Sequence, residues 1–430
     1  MKARDDLSPG GHAAGGAVAA PERVRSEGAR VVRAGFIPLV DASVLIAAAE
    51  FGFAAREGIA LDLVRDVSWA NVRDRLAFRQ FDVAHMLSPM PVAAALGLGS
   101  NPSPTITPFS LGRGGNAITL STRLYARMQA EADLAGGETA LANAEALAKV
   151  IVRMKRDGEA LPTFGMTYPF SSHNYELRYW LAAGGIDPDT DVRLIVVPPP
   201  LTSDALAAGA IDGFCVGAPW NMVASERGVG RIVAAKQDLW PSAPEKVMAT
   251  RPEWADSHPE TLSRLIVALD AAARWCDQPE NRDALADALA DARYVAAPVD
   301  IIRRVLRGEF TVDPQGSQRV IDNYFIFHNN LANYPRPSKA LWIYSQMIRW
   351  GQIGHSAEGE RLASSAYRPD LYRAALGPLP DPADDRRIEG AVAGDTFIDG
   401  HVFDPSGIPA YVAGFPIRVA DAAPLSRDDI

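Results

Sequence analysis

From Arg30 onward the chain alternates short apolar strands with amphipathic helices, and that alternation limits the fold more than any other feature of the sequence. VVRAGFIPL reads as a strand, ASVLIAAAEFGFAARE as a helix with one apolar face, and IALDLVRDV as a half-buried strand. The order then repeats. ANVRDRLAFRQ is a helix, FDVAHML a buried strand, PMPVAAALGLG a helix opened by proline, and TITPFSL another strand. Strands separated by helices pair mostly parallel, because each helix returns the chain over a face of the sheet. Ligands of such sheets gather at the carboxyl ends of the strands, beside helix N-termini.

One core does not grow to 430 residues, so two lobes are expected. The change comes at LGRGGNA, where Gly112, Gly114 and Gly115 supply the backbone freedom of a crossing. NAITLSTRLYARM then opens a second lobe. It continues through a helical stretch from Ala126 to Asp157, the strand TFGMTYP, a helix through YELRYWLAAGG, the strand VRLIVVP, the helix LTSDALAAG and the strand IDGFCVG. After Pro219 and Trp220 the chain is expected to cross back, with RIVAAKQDLW and KVMATRPEW as strands before the long helix ETLSRLIVALDAAARWC. The predicted class is α/β: two mostly parallel sheets flanked by helices, in two hinged lobes with a ligand cleft between them. The expected divisions are a disordered leader at 1–30, lobe 1 at 31–112, lobe 2 at 113–220, the rest of lobe 1 at 221–355, and an extension packing on lobe 1 at 356–430. In that extension DTFIDGHVFDP and AYVAGFPIRV look strand-like. The aromatic group Tyr324, Phe325, Phe327, Trp342, Tyr344 and Trp350 reads chiefly as packing, with a partner surface as the lesser reading.

Composition narrows the function. A net charge of −9 with 22% charged residues argues against a dedicated nucleic-acid surface, which needs clustered Lys and Arg. Cys215 and Cys276 stand in apolar contexts without a CxxC partner and read as core residues, which suits a reducing compartment. In the first 29 residues the longest apolar run is Ala17 to Ala20, too short for a signal-peptide core, and there is no cysteine to carry lipid. No stretch reaches the roughly 18 apolar residues that span a bilayer. The expectation is a cytoplasmic protein that contacts neither membrane nor nucleic acid and carries no cofactor, metal or catalytic group.

Four separated segments carry the chemistry: SWANVRD, TYPFSSHNYELRYW, FCVGAPWN and APEKVMATRPEW. A small planar anion needs a positive charge, donors in its plane and a flat wall. Lys246 offers the charge, His173 a directed donor, Asn116 an amide donor, and Trp69 a wall with an indole N–H. Gly217 would expose its backbone N–H, and a helix starting at SSHN, capped by Ser171 or Ser172, adds unpaired N–H groups. Each also has a plain reading: Trp69 as packing, His173 as a cap or surface residue, Lys246 as a solvated lysine, Gly217 and Asn116 as loop residues. His85, in the apolar VAHML strand, reads as a satisfied core histidine.

The order of these segments, with AGFIPLVDASVLIAAAEFGF, VSWANVRDRL, HMLSPMP and RYWLAAGGIDPDTDV, resembles the NrtA/CmpA family of nitrate and bicarbonate solute-binding proteins from Val31 to Asp404. The resemblance implies a two-lobed, type II periplasmic-binding-protein-like fold. It also implies an anion held by a tryptophan, an amide, a histidine, a glycine and a lysine, which fall here on Trp69, Asn116, His173, Gly217 and Lys246. Two positions depart from the pattern: the amide is Asn116 where the family has glutamine, and GAPWN has Ala218 where GEPWN is common. Lys246 favours nitrate or nitrite over bicarbonate, and Lys246→Ala is expected to remove anion affinity with little loss of stability. The missing export signal points to the unexported NasS-type branch. There a nitrate/nitrite sensor is described as holding an RNA-binding antiterminator of the NasT type, with an ANTAR domain, and releasing it on anion binding. The aromatic group and the acidic SRDDI terminus are candidate contacts for that partner. The alternatives are a transporter's binding component whose coding sequence starts further upstream, an enzyme of the thiamine-pyrimidine synthase type, whose cysteine-rich iron motif is missing, and a pocket for sulfonates.

Overall fold

The computed structural model describes residues 28–132, 134, 138–241, 243–379 and 396–419. The expected leader falls almost wholly outside these residues, as does the SRDDI terminus. Lobe 1 holds a five-stranded sheet built from β1 (Arg30–Phe36), β2 (Ile59–Arg65), β3 (Val83–Leu87), β4 (Ile106–Ser110) and β11 (Lys246–Thr250), in the order β2-β1-β3-β11-β4. Lobe 2 holds β6 (Asn116–Ser121), β7 (Thr163–Met166), β8 (Arg193–Val196), β9 (Gly213–Gly217) and β10 (Gly230–Ala235), in the order β10-β6-β9-β7-β8. Between them β5 (Arg113–Gly114) pairs with Phe325–Ile326.

In each sheet one strand runs against the others. β11 is antiparallel to β3 and β4, and β6 is antiparallel to β9 and β10. These two begin where the chain enters a lobe. A chain that arrives at the cleft edge, where the parallel strands end, must run away from it. The first residues of β6 and β11 therefore lie beside the last residues of β9 and β3: Asn116 is opposite Gly217, and Lys246 is opposite Leu87.

Several boundaries differ from the sequence reading. Gly52 takes a left-handed conformation and splits the first predicted helix into Ser43–Glu50 and Phe53–Arg56. The stretch 126–157 contains a break, after which Thr139 caps the helix Ala140–Asp157 by accepting from the Ala142 N–H. β10 pairs with β6 in the second sheet, so the return crossing falls between 236 and 245 and not at 220. PWN opens the helix Trp220–Glu226 within lobe 2. It is tied there by Asn221, which accepts from the Thr119 hydroxyl and donates to the Val216 carbonyl.

The extension was expected to pack on lobe 1, and it reaches further. Helix Ala357–Ser365 packs on Pro89–Ala95, and Pro369–Leu376 packs on Pro259–Cys276, all in lobe 1. Phe397, however, stacks on Tyr179 and Trp342, and the Ile398 N–H donates to the Leu239 carbonyl. The Tyr179 hydroxyl donates to Asp399 at 2.8 Å. Because Tyr179 stands on a helix of lobe 2 and Leu239 in the return crossing, the tail reaches beyond lobe 1. AYVAGFPIRV is not a strand: Ile408–Ala413 is a helix that buries Ile408, Tyr411 and Val412, a three-to-four-residue spacing. The described part of DTFIDGHVFDP is a turn about Gly400. Of the central aromatic group, Tyr324, Phe327, Trp342, Tyr344 and Trp350 are buried, which makes it core rather than a partner surface.

The crossing is held close by glycine. A Cβ at Gly114 would lie 1.9 Å from the Tyr324 carbonyl oxygen, and its φ is +86°. Gly114→Ala is expected to lower unfolding stability by about 2–5 kcal/mol, from left-handed strain and overpacking together. Urea unfolding measures this, and an unchanged midpoint would contradict the close approach.

Candidate anion site between the lobes

Each of the five expected residues lies at the cleft edge because of the element that carries it. Trp69 is the first residue of the helix after β2, and Ser68 caps that helix by accepting from the Asn71 N–H. His173 sits in the first turn of helix Ser172–Ala183, after β7, with Ser171 as the cap. Gly217 ends β9, while Asn116 and Lys246 begin β6 and β11. All five are buried, and Lys246 is 1% exposed. A Cβ on Gly217 would stand 3.1 Å from Asp41 Oδ2 and in ordinary contact with Asn116 Oδ1 at 3.5 Å, so a side chain there would press on Asp41.

These residues do not stand alone. Lys246 Nζ is 2.7 Å from Asp41 Oδ2 and also pairs with Glu245. A second buried lysine, Lys236, pairs with Glu245, lies 2.8 Å from Glu176 Oε1 and donates to the Pro244 carbonyl. Glu245 accepts from the Ser172 hydroxyl at 2.9 Å and from Asn116 Nδ2 at 2.5 Å. Asn116 Nδ2 also donates to Glu176 Oε2 at 2.9 Å. His85 Nδ1 accepts from the Ile37 N–H, which leaves its ring N–H on Nε2, 3.1 Å from Asp41 Oδ1. The Lys246 ammonium lies 5.9 Å from the Trp69 ring centre, and that ring meets His85 edge-on. The result is a buried cluster of three carboxylates and two ammoniums.

The protonation states follow from burial and neighbours. Burial, the largest influence, pushes Glu245 up, but the ammoniums of Lys236 and Lys246 outweigh it and hold its carboxyl well below the usual range. Asp41 is likewise lowered, with burial opposed by Lys246 and by the His85 hydrogen bond. Burial pulls Lys246 down, yet Asp41 and Glu245 together leave it raised, so it stays charged. Glu176 goes the other way: burial, reinforced by Glu245, outweighs the opposing Lys236 ammonium and leaves its carboxyl pushed up to about 7. His173 is lowered to about 3 by burial and by Lys246, and it is neutral at physiological pH.

Three polar atoms of the expected set are buried and lack a hydrogen-bond partner: Trp69 Nε1, His173 Nε2 and Asn116 Oδ1. The Asn116 result changes its reading. Both amide hydrogens are engaged by carboxylates, so the amide presents an oxygen where a donor was expected. Ser172, also expected as a cap, instead donates to Glu245, and the lysine charge is already matched by two carboxylates. His85 is in the core as expected, with Nδ1 accepting from Ile37 and Nε2 set 3.1 Å from Asp41 Oδ1, and it belongs to the cluster. Sequence reasoning missed Asp41, Glu176, Lys236 and Glu245. Asp41 had a signal, a lone charge in the apolar run IPLVDASVL, whereas Glu176, Lys236 and Glu245 each stand near other charged residues, as in RIVAAKQDLW, and look like surface positions. Ala218 closes the lobe contact through its backbone, its carbonyl accepting from the Val40 N–H at 3.0 Å. Among the described residues no group of three His, Cys, Asp or Glu side chains is placed to hold a metal ion. Cys215 and Cys276 are buried, and burial pushes both thiols up.

This geometry corrects the expectation that Lys246 can be removed cheaply. Lys246→Met would leave Asp41 and Glu245 buried with one lysine fewer and is expected to cost about 3–5 kcal/mol of stability. Adding Asp41→Asn should recover part of the loss. Chemical unfolding of both variants measures this, and a wild-type midpoint for Lys246→Met would contradict the pairing.

Comparison with known proteins places the chain in a family. A model of the NMT1-like family matches residues 25–290. The nitrate/nitrite binding protein NrtA of Synechococcus elongatus is 33% identical over 403 residues, covering 91% of this chain and 87% of that one. The nitrate import ATP-binding protein NrtC of Synechocystis is 35% identical over 386 residues, 89% of this chain and 55% of NrtC, so the chain spans about half of that longer relative. The crystal structure of the periplasmic nitrate-binding protein NrtA from Synechocystis matches with a TM-score of 0.81 at 29% identity, over 90% of this chain and 99% of that one. The chain belongs to the NMT1-like family, alongside the NrtA and CmpA binding proteins.

Proposed function

We propose that the chain binds nitrate or nitrite between its lobes and, in the cytoplasm, acts as a sensor that releases an RNA-binding antiterminator of the ANTAR type when the anion binds. The observation that carries the anion reading is the pair of buried, unpartnered ring nitrogens, Trp69 Nε1 and His173 Nε2, beside the Lys246 ammonium. Buried donors without partners cost stability, and an anion's oxygens relieve that cost. His173 Nδ1 meets the Thr167 hydroxyl at 3.0 Å. With Thr167 as donor, the single proton of the neutral ring lies on Nε2 and faces the ligand. Closing two lobes on an anion changes their relative orientation, and a partner docked across both is then displaced. The tail joins Tyr179 and Leu239 to Trp342 and would be carried along by such a movement.

A second reading, the substrate-binding component of an import system, is favoured by the similarity to NrtA and to part of NrtC. The two readings share the anion site and differ in the partner. Isothermal titration with nitrate, nitrite and bicarbonate is expected to show saturable binding of the first two. Trp69→Phe, which keeps the wall and removes the N–H, should weaken that binding about 10- to 100-fold, the value of a hydrogen bond to a charged group. Unchanged affinity would remove Trp69 from the site. Co-purification of an ANTAR-domain protein that nitrate dissociates is the result expected of a sensor; nitrate-independent association with a permease instead would favour transport.

A further inference from the structure

The anion-binding reading leaves a charge imbalance inside the cleft. Asp41, Glu176 and Glu245 contribute three negative charges when ionised, and Lys236 and Lys246 contribute two positive charges. All five are 5% exposed or less. The imidazoles do not close the gap. Both His85 nitrogens are engaged, one accepting from Ile37 and one facing Asp41, and burial holds His173 neutral. With all three carboxylates ionised the cluster thus carries one excess negative charge before any ligand arrives, and an anion would make it two among groups buried away from bulk solvent.

A proton is the smallest correction, and the geometry shows where it goes. Glu245 is gripped by both lysines, Ser172 and Asn116. Asp41 is gripped by Lys246 and His85. Glu176 has the weakest hold: it shares Lys236 and the Asn116 amide with Glu245. The other groups whose charge bears on it are Glu245 across the Asn116 amide, the Cys215 thiol of β9 and the Tyr324 hydroxyl. Both thiol and phenol are pushed up by burial and are neutral. Tyr179 of its own helix, with Trp240, Trp342 and Phe397, walls the side of Glu176 that faces the tail.

Resting on the anion reading, we infer that nitrate or nitrite enters this cleft together with one proton, taken from solvent onto a Glu176 carboxylate oxygen. The cleft is then a site for the anion and a proton jointly, and Glu176 is the group that couples them. Burial already raises the Glu176 carboxyl to about 7 in the free protein, and added negative charge raises it further. That order sets the sign of the pH dependence. Below that pH the free protein already holds the proton, so affinity is flat. Above it one proton must be taken up per anion, and affinity falls about tenfold per pH unit.

The test is isothermal titration of the full chain with nitrate at pH 8 in Tris and in HEPES, whose ionisation enthalpies differ, and then from pH 6 to 9. The expected result is a buffer-dependent enthalpy corresponding to nearly one proton taken up, and an affinity that declines above pH 7. Glu176→Gln, which imitates the protonated side chain, should bind nitrate with a flat pH profile and no buffer dependence. Equal enthalpies in the two buffers, with affinity constant across pH, would overturn the coupling and leave the anion reading intact. No nitrate binding at any pH would overturn the anion reading and the coupling with it. If Glu176→Gln does not fold, the two wild-type measurements decide the matter alone.

Discussion

The interaction on which the rest of the structure depends is the buried pairing of Lys246 and Lys236 with Asp41, Glu245 and Glu176. Its members come from both lobes and from the return crossing: Asp41 precedes the first helix of lobe 1, Glu176 lies on a helix of lobe 2, and Lys236 and Glu245 stand at either end of the crossing. Charges of this kind are tolerated away from water only when each has a partner, so the cluster fixes how the lobes meet. Near it, Trp69 Nε1 and His173 Nε2 are buried without a hydrogen-bond partner.

The fold delivers these residues to one place through the direction of two strands. Parallel strands end at the cleft, and a chain entering a lobe there must run the other way. β6 and β11 do so, which sets Asn116 and Lys246 beside the carboxyl ends of β9 and β3. The helices after β2 and β7 add Trp69 and His173 from their first turns, where backbone N–H groups are unpaired. The two chain crossings thus explain two of the five positions and the two helix starts another two, and Gly217 completes the set because a Cβ there would crowd Asp41.

Much of this was legible in the sequence, and the exceptions have physical reasons. Alternating periodicity located the strands of lobe 1 and most of lobe 2, because apolar spacing reports burial directly. It misplaced the return crossing, because PWN looks the same whether a helix opens within a lobe or a chain leaves it; pairing with β6 decides that. AYVAGFPIRV alternates weakly enough to suggest a strand, yet Ile408, Tyr411 and Val412 are spaced for one helical face, and Phe415 is buried just beyond the helix end. The five site positions stood out through the order of their segments. Their carboxylate partners did not, since Glu176 and Glu245 stand beside charged neighbours as surface residues do, and even Asp41 in its apolar run shows its burial only when the elements are packed. For the same reason Lys246 looked removable and Asn116 looked like a donor.

The most direct test of the central claim is a crystal structure of the protein grown with nitrate. The account predicts the anion between the lobes, with oxygens within hydrogen-bond distance of Trp69 Nε1 and His173 Nε2, and Lys246 still against Asp41. Nitrate bound elsewhere, or bound there with Lys246 drawn away from Asp41 and Glu245, would contradict it.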